Sequence, residues 1–301
     1  LPSHMSVVGG ERVVVSVGDG ANDVAMIQSS HVGVGLVGRE GSQAVRASDV
    51  SILQFRDLVR LFQYHGAYSY QRSSVIAQLS FFKSWAFCLA QVLYASRTGY
   101  AGTSIYDAFS ISACNALLFI PLCFYSLNRP LPEAAALLRP GLYRAGPSKL
   151  HFNPQSVTEW LIRAVIQALL LLFFSFSALG PTHVSPSGSP ISHSQLGASI
   201  FSLFLIIQCC NVLLEMNTWT LLQVLIIVLG LAFAFTLYAF CNITPALGAL
   251  VDLNALSSLQ SDPAAVLLAP LVVVACMAPF VCLRYWRANY CAGPIELARL
   301  G

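Results

Sequence analysis

The sequence predicts a mixed fold, in which a short α/β segment precedes an α-helical membrane domain. Hydrophobic residues make up 56% of the 301 residues and charged residues only 10%, whereas ordinary soluble domains are about 45–50% apolar and about 25% charged. The first 60 residues alternate short apolar runs with polar loops. The later chain instead contains apolar runs near the ~20 residues that a helix needs to cross a bilayer. We therefore divide the chain into residues 1–60, a membrane domain at 61–290 and a tail at 291–301.

The first 60 residues contain the strand and helix order of a parallel α/β sheet. "RVVVSVG" (12–18) predicts a buried strand, the polar loop "DGAND" follows it, and "VAMIQSS" predicts a helix. "HVGVGL" (31–36) predicts a second strand, and "GREGSQAVRASDVSIL" a loop, a short helix and a third strand. Because such sheets bind ligands at the carboxyl ends of their strands, "GDGAND" is a candidate site.

The membrane domain is predicted to contain six transmembrane helices, joined by short connectors except at 128–155 and 180–195. Arginine and lysine near span ends stay preferentially on the cytoplasmic side. The segments before span one, after span two and after span six are rich in arginine, whereas the opposite side carries only Arg97. We therefore expect cytoplasmic N- and C-termini. The predicted spans are about 75–96, 105–127, 156–179, 196–214, 218–241 and 264–283.

Charge, cysteines and the first residue narrow the class of protein further. The formal net charge of +3 is too small to indicate nucleic acid. The nine cysteines lie mostly in apolar runs without C-x-x-C spacing, so we interpret them as small core residues, not as disulfides or zinc ligands. The chain opens on Leu1 without the pattern of a signal peptide, and we expect it to be part of a longer protein.

The loop at 18–23 has the residues of a magnesium and phosphate site. Asp19 and Asp23 are four residues apart between a strand and a helix, so both carboxylates can approach one ion. The flanking glycines let backbone amides approach a phosphate. A lone Gly-Asp-Gly is more often a structural turn, but the strand and helix around it favour a site.

Several strings resemble the type IV P-type ATPases, the eukaryotic phospholipid flippases. They are "VGDGANDVAMI", "HVGVGLVGREGSQAVRASDVSILQF", "HGAYSYQR", "FFK", "CNALLF" and "RPGLYRAGPSKLHFN". The resemblance implies the C-terminal part of a haloacid-dehalogenase-like α/β phosphorylation domain, followed by the last six of ten membrane helices. The family's "DKTGT" motif, with its phosphorylated aspartate, does not occur. We therefore do not expect this stretch alone to hydrolyse ATP.

The same resemblance assigns roles to residues and partners. Asp19 would be a magnesium ligand, Asn22 would bond the phosphoryl group, and Asp23 would belong to the same metal and nucleotide site. The implied cofactors are Mg²⁺ and ATP. The implied substrate is a phospholipid, moved from the outer or lumenal to the cytoplasmic leaflet of a eukaryotic plasma membrane or endomembrane. An accessory β-subunit is also implied.

Lys83 carries a positive charge inside the first predicted span, where a charge costs about 2.5–3.5 kcal/mol on insertion scales. One interpretation is that it snorkels to the headgroups. The other is a substrate path formed with Ser84 and Asn115. All thirteen acidic residues lie in the soluble segment, in loops or near span ends, which disfavours a cation pump because hard cations need several oxygen ligands. Asn115 is equally suited to interhelical hydrogen bonding.

Three alternatives stay open: a P-type cation-transporting ATPase, a soluble phosphatase of the haloacid dehalogenase superfamily, and a noncatalytic membrane module. The six spans argue against the soluble phosphatase. Ser84 stands where the flippases commonly carry asparagine, so no headgroup preference is assigned. We also expect Pro121, Pro270 and Pro279 to kink their helices. An ion pair is expected between Glu159 and Arg163, four residues apart on one helix.

Overall fold

The structure is a computed structural model that describes residues 13–38, 42–125, 128, 133–139, 143, 146, 149–180, 183, 184, 188, 190–243 and 262–290. The description also leaves out the predicted tail at 291–301 and some side chains within helices, namely those of 119–122, 124, 135, 238, 239 and 241–243. The chain divides into two compact units. The first comprises Leu1–Ala67 with Glu133–Tyr143, and the second comprises Tyr68–Pro132 with Arg144–Gly301.

The first unit contains a three-stranded parallel sheet in the order β1-β2-β3. The strands are β1 (Val15–Gly18), β2 (Val32–Leu36) and β3 (Val50–Ile52). Val15 pairs with Val32, and Val34 pairs with Val50. The three predicted strands and their parallel arrangement are confirmed, and the loop after β1 lies at the carboxyl edge of the sheet.

Two short helices, α1 (Val24–Ser29) and α2 (Gln43–Ala47), follow β1 and β2 as predicted. Glycines of β2 allow them to pack closely against the sheet. A Cβ atom at Gly33 would lie 2.5 Å from Ile27 Cγ2, and one at Gly35 would lie 2.8 Å from Val45 Cα. Since real Cβ contacts are longer, these glycines set the distance between helix and sheet.

A long helical run extends over Asp57–Arg97. It begins with α3 (Asp57–Arg60), continues through a π-helical segment at Leu61–Gly66 and becomes α4 (Ala67–Arg97). The short helix α6 (Glu133–Leu138) belongs to the first unit, where Glu133 pairs with Arg60 at 2.6 Å. Neither the π-helical segment nor α6 was predicted from the sequence.

The second unit has a helix at each of the six predicted positions. Four helical runs within the described residues are long and apolar enough to cross a membrane: Asp57–Arg97, Pro154–Leu179, His193–Glu215 and Pro263–Tyr290. The apolar stretches found in the other two helices, Ala108–Leu118 and Leu221–Leu237, are shorter. Six complete spans therefore stay a prediction. Besides α4, the helices are α5 (Ala108–Tyr125), α7 (Pro154–Leu179), α8 (His193–Glu215), α9 (Leu221–Ile243) and α10 (Pro263–Tyr290).

Helix α8 lies at the centre of this unit. In its most apolar stretch of 18 residues 78% is buried, whereas in the corresponding stretch of α10 only 17% is buried. Phe201, Phe204 and Ile200 of α8 are each at most 2% exposed. The low burial of α10 leaves a broad apolar surface, which is expected of a helix that contacts lipid.

The prolines of the predicted spans lie inside continuous helices. The backbone of α10 stays helical through Pro270 and Pro279. Helix α5 likewise continues through Pro121, whose side chain lies outside the description. The kinks expected at these prolines therefore stay predictions.

Candidate functional site

The loop after β1 is braced by the carboxylate of Asp23. Its Oδ2 accepts hydrogen bonds from the backbone N–H groups of Asp19, at 3.1 Å, and Gly20, at 3.3 Å. A Cβ atom at Gly18 would overlap the Cβ of Asp23. Glycine at position 18 therefore lets the Asp23 side chain fold back over its own loop.

Asp19 and Asn22 take no part in this brace through their side chains, and both residues are exposed. Among the described residues, no donor forms a hydrogen bond with the Asp19 carboxylate, so none of these residues competes with a metal ion for its oxygens. Within the described part of the chain there is no group of three or more histidine, cysteine or acidic residues that could hold a metal. Magnesium is commonly held by one or two carboxylates together with water and phosphate oxygens. The donor set of this loop fits such a site, in which Asp19 would be a ligand. The role of Asp23 as a second ligand stays a prediction, and its Oδ2 is engaged by the amides of Asp19 and Gly20.

The structure brings Lys83 and Asn115 together from two helices of the second unit. Lys83 Nζ on α4 donates a hydrogen bond of 2.7 Å to Asn115 Oδ1 on α5. Lys83 is half-buried, whereas Asn115 is exposed. A cationic and an amide side chain, both predicted for the substrate path, are therefore in contact between these helices.

Ser84, the third residue predicted for the substrate path, does not join this pair. It is exposed, and its Oγ donates to the carbonyl of Ser80 one turn earlier on α4, at 3.1 Å. Such a bond is local to the helix and leaves the hydroxyl directed along α4. The structure thus joins two of the three predicted residues and leaves the third with a partner on its own helix.

A buried polar cluster around Arg163 was missed by the sequence interpretation. Arg163 of α7 is 8% exposed. Its guanidinium donates to Glu215 Oε1 at 2.7 Å and to Asn211 Oδ1 at 2.6 Å, both on α8. The expected pair between Glu159 and Arg163 is wrong, since Glu159 instead accepts from Arg287 of α10 at 3.0 Å. Tertiary contacts between helices have replaced the local pair.

The same cluster borders a cavity of about 530 Å³ between α4, α7, α8 and α10. Arg163, Arg284 and Arg287 line it together with Glu159 and Glu215. Arg284 donates to Asn217 Oδ1 at 3.0 Å. Two of the three arginines therefore face a carboxylate and the third a neutral amide, so the cavity wall carries a small excess of positive charge.

A family model described as "Phospholipid-translocating P-type ATPase C-terminal" matches residues 45–292. The match covers most of the chain, including both helices that carry the Lys83 and Asn115 pair. This chain belongs to the phospholipid-translocating P-type ATPases. The resemblance inferred from the sequence motifs is thereby confirmed.

Curated relatives of this phospholipid-translocating ATPase chain are similar over much of its length. Phospholipid-transporting ATPase 2 of Arabidopsis thaliana is 31% identical over 284 residues, which are 94% of this chain and 25% of the relative. Phospholipid-transporting ATPase IC of Homo sapiens is 32% identical over 212 residues, 70% of this chain and 17% of the relative. The chain thus spans a quarter or less of the length of these relatives.

Proposed function

We propose that the gene product is an ATP-driven phospholipid translocase, which moves phospholipid from the outer or lumenal leaflet to the cytoplasmic leaflet through an aspartyl-phosphate cycle. The observation that carries the proposal is the hydrogen bond between Lys83 and Asn115 on neighbouring apolar helices. Membership in the phospholipid-translocating family supports the same substrate class.

An ammonium group in this position suits a phosphate-bearing headgroup. Lys83 is held by a neutral amide and by no carboxylate among the described residues, so its charge is not cancelled. A lipid phosphate can accept from Nζ in place of Asn115 Oδ1, and the released amide can then contact the polar headgroup. This exchange replaces a neutral acceptor by an anionic one, so the attraction between opposite charges is added to a hydrogen bond whose donor is already charged.

The acidic residues of the second unit argue against transport of a hard cation. The sequence of the six helices of this unit, α4, α5, α7, α8, α9 and α10, contains only two acidic residues, Glu159 and Glu215. Each is paired with an arginine, Glu159 with Arg287 and Glu215 with Arg163. A calcium or similar ion needs about six to eight oxygen ligands, usually including free carboxylates. These helices therefore favour the phospholipid over the cation.

The loop after β1 supplies the energy-coupling chemistry in this proposal. Asp19 would bind Mg²⁺, which neutralises charge on the phosphoryl group during its transfer to and from an aspartate. Asn22 would bond a phosphoryl oxygen. Asp23 keeps the loop closed through its bonds to the backbone amides of Asp19 and Gly20.

The test of the headgroup role is Lys83→Ala in the full-length gene product, reconstituted in liposomes. Loss of a charge-assisted hydrogen bond of about 1.5–3 kcal/mol predicts that the half-saturating lipid concentration for ATPase stimulation rises about ten- to a hundredfold. Lys83→Arg keeps the charge and should retain most of the stimulation. Wild-type stimulation of Lys83→Ala would reject the headgroup role.

A second variant tests the magnesium assignment. Asp19→Asn removes the charge of the free carboxylate while keeping its size, so magnesium-dependent phosphorylation from ATP should be lost. The control is Gln28→Ala, which removes an exposed amide side chain from α1 and should leave phosphorylation intact. If Asp19→Asn retained magnesium-dependent phosphorylation from ATP, the magnesium-binding role of this loop would be rejected.

A further inference from the structure

Three aromatic rings surround the guanidinium of Arg163. Its Cζ lies 5.4 Å from the ring centroid of Phe82 on α4, and 4.8 Å from those of Trp160 on α7 and Phe280 on α10. Phe82 is fully buried and meets Trp160 edge to face, with 5.4 Å between ring centroids. A cation within about 6 Å of a ring face is attracted to it. The guanidinium is therefore a common contact for three helices.

Polar bonds fix the position of this guanidinium. Glu215 accepts a hydrogen bond from its Nη1, and Asn211 accepts one from its Nη2. Asn211 is itself held by reciprocal bonds with Gln167, at 3.1 and 3.0 Å. Since Asn211 and Gln167 are at most 2% exposed, water competes little for these bonds, and the site of the guanidinium is defined by the surrounding helices.

Phe82, which contacts this guanidinium, is the residue next to Lys83. Successive residues of an α-helix point about 100° apart. The rotation of α4 that directs Phe82 toward Arg163 and Trp160 therefore also fixes the direction of Lys83. In the structure this direction takes Lys83 Nζ to Asn115 on α5.

We infer that Arg163 is a positioning residue: by holding the ring of Phe82 it sets the rotation of α4 and directs Lys83 toward Asn115. Arg163 acts through Phe82 and does not touch the lipid in this inference. Its consequence for transport rests on the proposed function, but its consequence for the geometry of α4 and α5 does not.

The experiment measures the geometry directly in the full-length gene product, in a background in which the native cysteines are replaced. Lys83→Cys and Asn115→Cys introduce a thiol pair, and the rate of cross-linking by a short bifunctional methanethiosulfonate is recorded. Adding Arg163→Met, which is similar in length but uncharged, should lower this rate about tenfold. The matched control is Arg287→Met, which removes an arginine that pairs with Glu159, and it should leave the rate unchanged.

A second variant addresses the possibility that Arg163→Met fails to fold, which is checked by size-exclusion chromatography. Phe82→Leu shortens the side chain and removes the ring but retains Arg163, Glu215 and Asn211, and it should also slow cross-linking. An unchanged rate in the variants that fold overturns the inference. If Arg163→Met does not fold, the cross-linking rate of Phe82→Leu alone decides: a slower rate supports the inference and an unchanged rate overturns it.

The lipid dependence of ATPase activity, measured with Lys83 and Asn115 intact, separates this inference from the proposed function. If Arg163→Met slows cross-linking and raises the half-saturating lipid concentration while Arg287→Met changes neither, both are supported. If cross-linking slows but the half-saturating concentration stays at the wild-type value, Arg163 positions α4 and the headgroup role of Lys83 is rejected. Unchanged cross-linking rejects the positioning role whatever the lipid dependence.

Discussion

Gly18 is a residue whose lack of a side chain decides the shape of the candidate magnesium loop. Gly18→Ala would place a Cβ atom over the Cβ of Asp23. We expect Asp23 to be displaced and its bonds to the amides of Asp19 and Gly20 to be lost. Phosphorylation of the full-length gene product should then need a higher magnesium concentration, by about tenfold for ~1.4 kcal/mol of lost preorganisation.

Gly38 provides the matched control for this substitution. A Cβ atom there would lie 3.4 Å from the Cβ of Asp19, which is an ordinary contact. Gly38→Ala should therefore change the magnesium requirement much less than Gly18→Ala. Equal effects of the two substitutions would show that the contact with Asp23 does not determine the loop conformation.

The two ion pairs of the cavity should differ in their effect on stability. The side chains of Arg163 and Glu215 are 10% and 25% exposed, whereas those of Arg287 and Glu159 are 46% and 42% exposed. Removing one partner of a buried pair costs about 3–5 kcal/mol, and an exposed pair contributes about 0–1 kcal/mol. Because Glu215 keeps some contact with solvent, Glu215→Gln should destabilise by less than the full buried value.

Thermal unfolding in detergent micelles provides the measurement for both pairs. Glu215→Gln should lower the midpoint clearly, while Glu159→Gln, a substitution of the same chemistry, should change it little. A midpoint that falls more for Glu159→Gln would contradict the burial argument.

Residue partners were harder to predict than residue types. The sequence indicated that Lys83 and Asn115 were unusual in their apolar surroundings, and the structure joins them. It failed for Arg163, because the i,i+4 spacing to Glu159 is a local rule and the actual partner is 52 residues away. A signal was present but not used: span three begins, and span four ends, on the same predicted side, which is compatible with Arg163 and Glu215 lying at a similar depth.

At the scale of elements, apolar patterning was sufficient for the strands and the long helices. β1, β2 and β3 fall within the predicted runs, and a helix occupies each predicted span. The π-helical segment at Leu61–Gly66 has no comparable pattern, because a widened turn depends on how its neighbours pack. The ends of α4 and α10 also differ from the predicted spans, since polar residues continue a helix beyond its apolar part.

The start of α7 has a capping box that should contribute to the stability of this helix. Asn153 Oδ1 accepts from the backbone N–H of Ser156 at 2.7 Å, and Pro154 occupies the first helical position. Asn153→Ala removes this acceptor and should cost about 0.5–2 kcal/mol. Asn153→Asp keeps an acceptor at the same position and should retain stability in thermal unfolding of the same preparation. If the two variants lose equal stability, the cap is not the cause.

At the scale of the second unit, three polar side chains of the helical interior hydrogen-bond across the interface between α7 and α8. Gln167 and Asn211 exchange hydrogen bonds between α7 and α8, and Arg163 bonds to α8. Unpaired polar groups are expensive in a bilayer, so these bonds favour one packing of the helices. The sequence indicated a membrane domain through its composition, but it could not indicate which helices exchange these bonds.

The orientation of this unit in the membrane follows from arginine and lysine counts and is directly testable. Leu150 lies in the connector that carries Arg139, Arg144 and Lys149, and Val184 lies in the 180–195 loop, which has neither arginine nor lysine. Both positions are exposed, at 50% and 59%. Since positive loops stay on the cytoplasmic side, we expect Val184 on the outer or lumenal side and Leu150 on the cytoplasmic side.

Cysteines introduced at these two positions, in a cysteine-depleted full-length gene product, report the side on which each loop lies. In sealed vesicles whose cytoplasmic face points outward, a membrane-impermeant maleimide should label Leu150→Cys at once and Val184→Cys only after permeabilisation. Each variant is the control for the other, because both thiols are exposed and differ only in their predicted side. Immediate labelling of Val184→Cys with protection of Leu150→Cys would mean that the orientation is reversed, and the predicted cytoplasmic side of the arginine-rich connector would be rejected.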